Sequence, residues 1–310
     1  MKIDLKVALT VAVVGAFLVL LGTYLSDEYG GGDTLHVKSD IVVGDYISIH
    51  NYQSVTTSQS EGMDAELFFD YYFKADIEDM DYVSDVIYIL DGAYIDCEEY
   101  RTDTFTVYVT KESKMLVYSE YEEYDYIWTM ELTECSLDVV EGFTADDIKA
   151  GMEFTTVSDA TFERRTETHF TIDEAYDGLL EYTVDILMES LVEYTMTVVA
   201  VEDDRVTLDY GAVMSKEMFL NILSKDYLCR DLFDGYEITS ETTYDREYEA
   251  EFGTFMAHVD AVSGNQGRTD MDAYVYYVGE DVFLKALRTQ YTDDAIQFLE
   301  FEIVDTSMYV

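Results

Sequence analysis

The chain has 310 residues, of which 66 are acidic and 18 are basic, and its formal net charge is -48. This balance argues against nucleic acid as a partner, because phosphate binding requires a clustered basic face. Hydrophobic residues make up 48% and aromatic residues 15% of the chain, which excludes the aromatic-poor composition of a disordered protein. The chain is therefore expected to fold around a packed core.

The first predicted element is a transmembrane helix within residues 1–28. Lys2 and Lys6 precede an uncharged stretch, Val7–Leu25. As a helix, this stretch would span roughly 30 Å, the thickness of the hydrocarbon core of a bilayer. Basic residues before the stretch and acidic residues after it predict a cytoplasmic N-terminus. A cleaved signal peptide is the alternative, although the stretch ends without a small-residue cleavage pattern.

A glycine-rich tether follows at residues 29–39, because three successive glycines impose no fixed conformation. Beyond it, apolar and polar residues alternate with the period of two that is typical of half-buried strands. The clearest alternations are centred on Trp128, Val184, Met196 and Leu208. The sequence therefore predicts a mainly β (α+β) fold with two tandem antiparallel β-sheet domains at residues 40–143 and 144–310.

One covering helix is predicted in the second domain, near residues 215–228. Ser215 is placed to cap its first turn, and Phe219 and Leu223 lie on its apolar face. A shorter helix or an irregular segment is predicted at Asp79–Leu90. Both are expected to pack against the sheet.

The two domains are predicted to be related by duplication. The segment at residues 91–139 parallels the segment at residues 252–310, each with a glycine-aromatic strand start followed by three further strands. The beginnings of the domains also match loosely, since residues 43–49 (VGDYISI) parallel residues 150–156 (AGMEFTT).

These features together resemble those of one class of known proteins. The anchor, the Val-Gly-Asp-Tyr start at residues 43–46, the glycine-aromatic strands and the terminal meander from residue 277 to residue 308 resemble uncharacterised, membrane-anchored, acidic secreted β-domain proteins of archaea. The layout is similar to the curled antiparallel sheet of the periplasmic lipoprotein-carrier fold. The resemblance implies no catalytic residues.

The sequence contains no known catalytic or cofactor-binding motif of four common kinds: a nucleophile elbow, a zinc-protease motif, a P-loop or a dinucleotide fingerprint. The densest run of carboxylates could supply several oxygen ligands to Ca²⁺, although it lacks the glycine and the closing glutamate of an EF-hand. Its members are Asp76, Glu78, Asp79, Asp81 and Asp85. The alternative is a solvated acidic surface, and no other cofactor is predicted.

Three cysteines are present, at positions 97, 135 and 229. Disulfides persist outside the cytoplasm, so a bridge between Cys97 and Cys135 within the first domain is predicted. Buried free thiols are the alternative.

The leading functional prediction is a noncatalytic, single-pass protein of the cell membrane that presents two β-domains at the cell envelope. Its expected partners are the membrane, through the N-terminal helix, and a lipid, an envelope protein or a glycan. A curved sheet could also hold a hydrophobic ligand. The alternatives are an envelope hydrolase that uses paired carboxylates and a subunit of a surface filament or layer.

Overall fold

The structure is a computed structural model, and it describes residues 35–90, 92–124, 126–135, 142–161 and 163–310. Across these ranges no helix has the length and apolar composition needed to cross a bilayer. The predicted anchor at residues 1–28 and most of the predicted tether lie outside the described residues.

The predicted mainly β architecture is confirmed, and the strands form one antiparallel sheet. The strands are β1 (Tyr46–Asp64), β2 (Asp81–Leu90), β3 (Ala93–Arg101), β4 (Phe105–Thr110), β5 (Leu116–Glu123), β6 (Tyr126–Cys135), β7 (Glu153–Ala160), β8 (Arg164–Tyr176), β9 (Leu179–Glu202), β10 (Arg205–Leu208), β11 (Val213–Ser215), β12 (Glu237–Ala250), β13 (Gly253–Gln266), β14 (Thr269–Val278), β15 (Val282–Tyr291) and β16 (Ala295–Thr306). The helices are α1 (Ala65–Tyr72), α2 (Lys216–Asn221) and α3 (Lys225–Leu232), and a short 3-10 helix covers Ala145–Asp147.

The described chain divides into two compact units that are discontinuous in sequence. Unit 1 contains residues up to 51, residues 193–291 and residues 299–310, and unit 2 contains residues 52–192 and 292–298. The long strands β1, β9 and β16 contribute residues to both units. The predicted division into two tandem domains, at residues 40–143 and 144–310, stays a prediction.

Each unit has the same order of nine hydrogen-bonded strands. In unit 2 the order is β2-β3-β4-β5-β6-β7-β8-β9-β1, and in unit 1 it is β12-β13-β14-β15-β16-β1-β9-β10-β11. The first and ninth strands run in the same direction because every neighbouring pair is antiparallel. Strands that run in the same direction need a crossover connection, and in both units this connection is helical.

In unit 2 the crossover is α1, which joins the end of β1 to β2. The side chain of Asp64 caps this helix by accepting hydrogen bonds from the backbone N–H groups of Glu66, at 2.9 Å, and Leu67, at 3.3 Å. Phe68 and Phe69 are buried in the core of the unit. The Phe68 ring contacts the ring of Tyr182 on β9, with centroids 4.7 Å apart. The helix is therefore held by aromatic packing as well as by its cap.

In unit 1 the crossover is formed by α2 and α3, at the place where the sequence predicts a covering helix. The Ser215 hydroxyl accepts a hydrogen bond from the backbone N–H of Met218 at 3.0 Å, which confirms the predicted cap. Phe219 and Leu223 are buried in the core of this unit, against residues such as Val275 and Phe283 of the sheet. The predicted single helix is divided by a turn between residues 222 and 224.

The prediction of a helix or irregular segment at Asp79–Leu90 is wrong, because Asp81–Leu90 forms strand β2. The acidic residues at its start are typical of a first helical turn, but the β-branched and aromatic residues that follow favour a strand. The helix that covers this unit is α1, which has no clear helical pattern in the sequence.

The strands of the two predicted repeats follow the same local order, and duplication stays a prediction. Strands β3 to β6 and strands β13 to β16 each form consecutive antiparallel neighbours. The loosely matched starts, residues 43–49 and 150–156, also agree, since Gly44 and Gly151 both have positive φ, of 97° and 81°. Glycine adopts this conformation without the steric cost that a side chain would add. The next buried apolar residues, Ile47 and Phe154, are each the second residue of the sixth strand of a unit.

A clasp joins the start of β1 to the end of the chain in unit 1. The Asp45 carboxylate is only 3% exposed. It accepts hydrogen bonds from the Lys38 ammonium, from the backbone N–H of Val42 at 2.7 Å and from the Ser307 hydroxyl at 3.0 Å. Burial raises the pKa of Asp45, but the hydrogen bonds from Lys38, Val42 and Ser307 outweigh burial and lower the pKa below its ordinary value.

Candidate binding face on strands β2 and β3

One face of the β2–β3 hairpin in unit 2 combines exposed apolar side chains with a network of charges. The antiparallel register pairs Tyr82 with Tyr100, Asp85 with Glu98, Ile87 with Asp96, and Ile89 with Tyr94. Residues that are directly opposite in an antiparallel pair lie on the same face of the sheet. These eight residues are called the β2–β3 face below.

The apolar end of the β2–β3 face is open to solvent. Ile87 is 65% exposed, Ile89 is 60% exposed and Tyr94 is 76% exposed. Isolated apolar residues on a surface are ordinary, but three neighbours on two adjacent strands form a contiguous patch. This patch lies on a chain whose net charge is -48, so its composition differs sharply from that of the chain as a whole.

The other end of the β2–β3 face is polar and internally neutralised. The Lys111 ammonium donates to the Asp85 carboxylate at 3.0 Å, and the Tyr82 hydroxyl donates to the same carboxylate at 3.0 Å. Hydrogen bonds from Lys111 and then from Tyr82 lower the pKa of Asp85. The carboxylate therefore stays ionised and paired.

A second pair repeats this arrangement on β3. The Lys114 ammonium and the Tyr100 hydroxyl both donate to the Glu98 carboxylate, the latter at 2.7 Å. These hydrogen bonds lower the pKa of Glu98. The rings of Tyr82 and Tyr100 meet edge to face with centroids 5.8 Å apart. Two lysines, two carboxylates and two tyrosines thus form an ordered border beside the apolar patch.

Strand β2 is also an edge strand, because it stands first in the hydrogen-bonded order of its unit. Within the described part of the chain, only β3 pairs with it. An edge strand presents unpaired backbone N–H and C=O groups, which can accept another strand. The apolar patch and the open backbone therefore lie on the same element.

The structure places the five residues of the predicted carboxylate run in two neighbouring segments. Asp76, Glu78 and Asp79 lie between α1 and β2, whereas Asp81 and Asp85 lie within β2. Among the residues that the structure describes, no group of three or more His, Cys, Asp or Glu side chains is placed to hold a metal ion. Calcium binding stays a prediction, which melting with calcium and with a chelator would test.

The two cysteines of the predicted disulfide contribute to the same core. Cys97 is buried on β3, and Cys135 is partly buried on β6. The structure carries both side chains as thiols. The bridge between them stays a prediction.

A cleft of about 320 Å³ lies beside α1 and the 3-10 helix. Its lining residues are Glu66, Phe69, Asp70, Lys74, Ser113, Thr144 and Ala145. The Lys74 ammonium is paired with the Asp70 carboxylate at 3.0 Å, one helical turn away, so this charge is satisfied within the protein. The cleft is therefore a weaker candidate for a binding site than the β2–β3 face.

No protein-family model, curated protein or solved structure matches the chain. The β2–β3 face therefore has to be interpreted from its own chemistry. A signal for it was present in the sequence, since Val86–Leu90 is an uninterrupted run of β-branched, aromatic and aliphatic residues. That this run lies on an edge strand could not be read from the sequence.

Proposed function

We propose that the chain is a noncatalytic, membrane-tethered, extracytoplasmic protein that binds an envelope partner through the β2–β3 face. The observation that carries this proposal is the exposure of Ile87, Ile89 and Tyr94 on an edge hairpin of a strongly acidic protein. Exposed apolar patches on soluble domains are typical of interaction sites, and aromatic residues are enriched at the centres of interfaces.

The interior of unit 2 supports a surface site over an internal one. Aromatic rings fill the space between α1 and the sheet, and Phe68 contacts Phe170 and Tyr182 with centroid distances of 5.9 and 4.7 Å. Tyr72 contacts Phe170 at 4.7 Å. Side chains therefore occupy this region, and the proposed partner is placed outside the core.

The location in this proposal rests on the sequence. Lys2, Lys6 and the uncharged stretch Val7–Leu25 favour an anchor with the rest of the chain outside the cytoplasm. An epitope added after Val310 should be removed by protease added to intact, wall-free cells, and the protein should stay with the membrane pellet in high salt. Protection of the epitope until the cells are lysed would contradict the proposed location.

The binding role is tested by photo-crosslinking of the full chain in intact cells. A photoreactive phenylalanine in place of Tyr94 should give a discrete adduct, because this side chain is the most exposed of the three in the patch. The matched control is the same replacement at Tyr124, which is 93% exposed in the turn between β5 and β6. Equal labelling at both positions, or none at Tyr94, would contradict a binding role for this face.

The proposal includes duplication of an ancestral half. Both units share the nine-strand order and a helical crossover from the ninth strand to the first. In each repeat, a strand that follows a positive-φ glycine, Gly44 or Gly151, is the sixth strand of a unit. A curled sheet with a covering helix also supports the proposed likeness to the lipoprotein-carrier layout.

A further inference from the structure

We propose that the open edge of β2 binds an extended segment of a partner protein in which apolar residues alternate with lysine or arginine. The segment would add a strand beside β2 and cover Ile87 and Ile89. This inference rests on the proposed function and names the chemistry of the partner.

The first argument is a comparison between two equivalent edges of the same molecule. Strands β2 and β12 each stand first in the nine-strand order of their units. In β12, six of the fourteen residues are charged, namely Glu237, Glu241, Asp245, Arg246, Glu247 and Glu249. Charged side chains on an edge strand discourage pairing with another chain.

Strand β2 lacks this protection over half its length. Its two charged residues, Asp81 and Asp85, lie in the first half of its ten residues, and Val86–Leu90 has none. The fold does not require this difference, because β12 occupies the corresponding position with charged residues. The unguarded half of β2 is thus suited to pairing with a further strand.

The second argument is the position of the side chains around the open backbone. Ile87 and Ile89 point to the same face as Tyr94, while Val86, Tyr88 and Leu90 are packed against the core. A strand added to the edge would gain backbone hydrogen bonds from β2. Its alternate side chains would lie beside Ile87 and Ile89, as in other complexes formed by strand addition.

The net charge of the chain favours a basic segment of a partner protein over a second copy of this chain as the occupant of the β2 edge. A second copy of this chain carries the same net charge of -48, so two copies repel each other as they approach. The local lysines do not offset this repulsion, because Lys111 and Lys114 are already paired with Asp85 and Glu98. Lysine or arginine on the incoming segment would be attracted by the acidic surface and would reach the exposed Asp81 carboxylate.

The test uses the full chain in nonionic detergent and a capped peptide as long as β2, with lysine and valine at alternate positions. The control peptide has the same sequence, but alternate backbone nitrogens on its pairing edge are methylated, so its charge is kept and its hydrogen bonds are lost. We expect the control to bind at least about 10-fold more weakly. The unmodified peptide should slow amide exchange in Val86–Leu90.

A pair of protein variants tests the side chains. Replacing Ile87→Thr and Ile89→Thr together keeps the net charge and the β-branched character, and should weaken peptide binding at least about 10-fold. The matched control is Ile238→Thr on β12, an exposed isoleucine of the other edge, which should leave the affinity unchanged. Circular dichroism confirms that each variant is folded.

Two results would overturn the inference. Equal binding of both peptides, without protection of Val86–Leu90, would mean that the peptide is attracted by charge alone. A dimer in sedimentation that the double Thr variant dissociates would mean that a second copy occupies the edge. Crosslinking at Tyr94 in cells reports on a partner of any chemistry, so the proposed function can survive failure of the peptide test.

Discussion

The single O–H of Tyr88 on β2 is shared between the Glu131 carboxylate and the backbone carbonyl of Leu132 on β6, both at 3.3 Å. Strands β3, β4 and β5 separate these two strands in the hydrogen-bonded order, so the sheet curls until a side chain of its first strand reaches its fifth strand. Unit 1 has the same relationship, because the Tyr248 hydroxyl on β12 donates to Glu302 on β16. Burial and the neighbouring Glu131 carboxylate raise the pKa of Tyr88.

Replacing Tyr88 with Phe should destabilise the protein by about 1 kcal/mol, because the ring stays but the hydrogen bonds across the curl are lost. The free energy of unfolding in urea measures this change. Tyr94→Phe is the control, since its side chain is exposed, and it should change stability by less than about 0.5 kcal/mol. An equal effect of the two variants would mean that the closing hydrogen bonds add nothing.

The aromatic contacts of α1 lead to a larger expected effect. Phe68→Ala should cost about 3–5 kcal/mol, because the cavity it leaves is lined by rigid rings that cannot collapse fully. Leu67→Ala, at the exposed neighbouring position of the same helix, should lower the free energy of unfolding only slightly. It is the control for the effect of an alanine substitution on the helix alone. Chemical unfolding followed by tyrosine fluorescence compares them. A small loss at Phe68 would mean that α1 is not anchored by its aromatic core.

The clasp at Asp45 should contribute about 2–3 kcal/mol at neutral pH, because hydrogen bonds to a buried charge are stronger than neutral ones. Asp45→Ala removes the acceptor for Lys38, Val42 and Ser307. Asp40→Ala, at an exposed acid nearby, controls for the change in net charge. Urea unfolding at neutral pH gives both values, and similar losses would contradict a specific role of the clasp.

The contribution of Asp45 should also depend on pH. Its pKa is lowered in the folded state, so the stabilisation is fully present above the unfolded value of about 3.9 and is lost as the pH falls through the folded value. The difference in unfolding free energy between wild type and Asp45→Ala should therefore shrink below about pH 4. A constant difference down to about pH 2 would mean that folding does not lower the pKa of Asp45.

The net charge of -48 predicts stabilisation by salt. Raising the ionic strength from about 0.01 M to about 0.1 M shortens the Debye length from about 30 Å to about 10 Å, so repulsion between separated carboxylates falls. The melting temperature should rise by at least about 2 °C. Sodium chloride and choline chloride should act alike, whereas an effect of sodium alone would indicate ion binding in place of screening.

Much of the fold could be predicted because its strands alternate cleanly. Leu180, Tyr182 and Val184 are buried on β9 as their period of two predicts. The helix signal at Ser215 was equally clear, because a capping hydroxyl precedes an apolar face of helical period. Such local patterns need no knowledge of distant residues.

The helix α1 and the β2–β3 face could not be predicted in this way. In α1 the run Leu67 to Phe69 is aromatic and aliphatic, so its composition is also typical of a strand. The run Val86–Leu90 is ordinary for a buried strand, and only the strand order shows that it lies at an edge. Both features depend on which segments meet across the sheet, which a single sequence does not specify.

The clasp at Asp45 also joins two parts of unit 1 that are synthesised at very different times. The backbone N–H of Tyr46 donates to the Ser307 hydroxyl across a separation of 261 residues, at 3.0 Å. At a synthesis rate of about 5–20 residues per second, the synthesis of β1 and that of β16 are separated by on the order of tens of seconds. Ile47 and Ile49 lack their final neighbours for that time, whereas most of unit 2 is contiguous and can fold during synthesis. Completion of unit 1 therefore depends on residues that are synthesised long after β1.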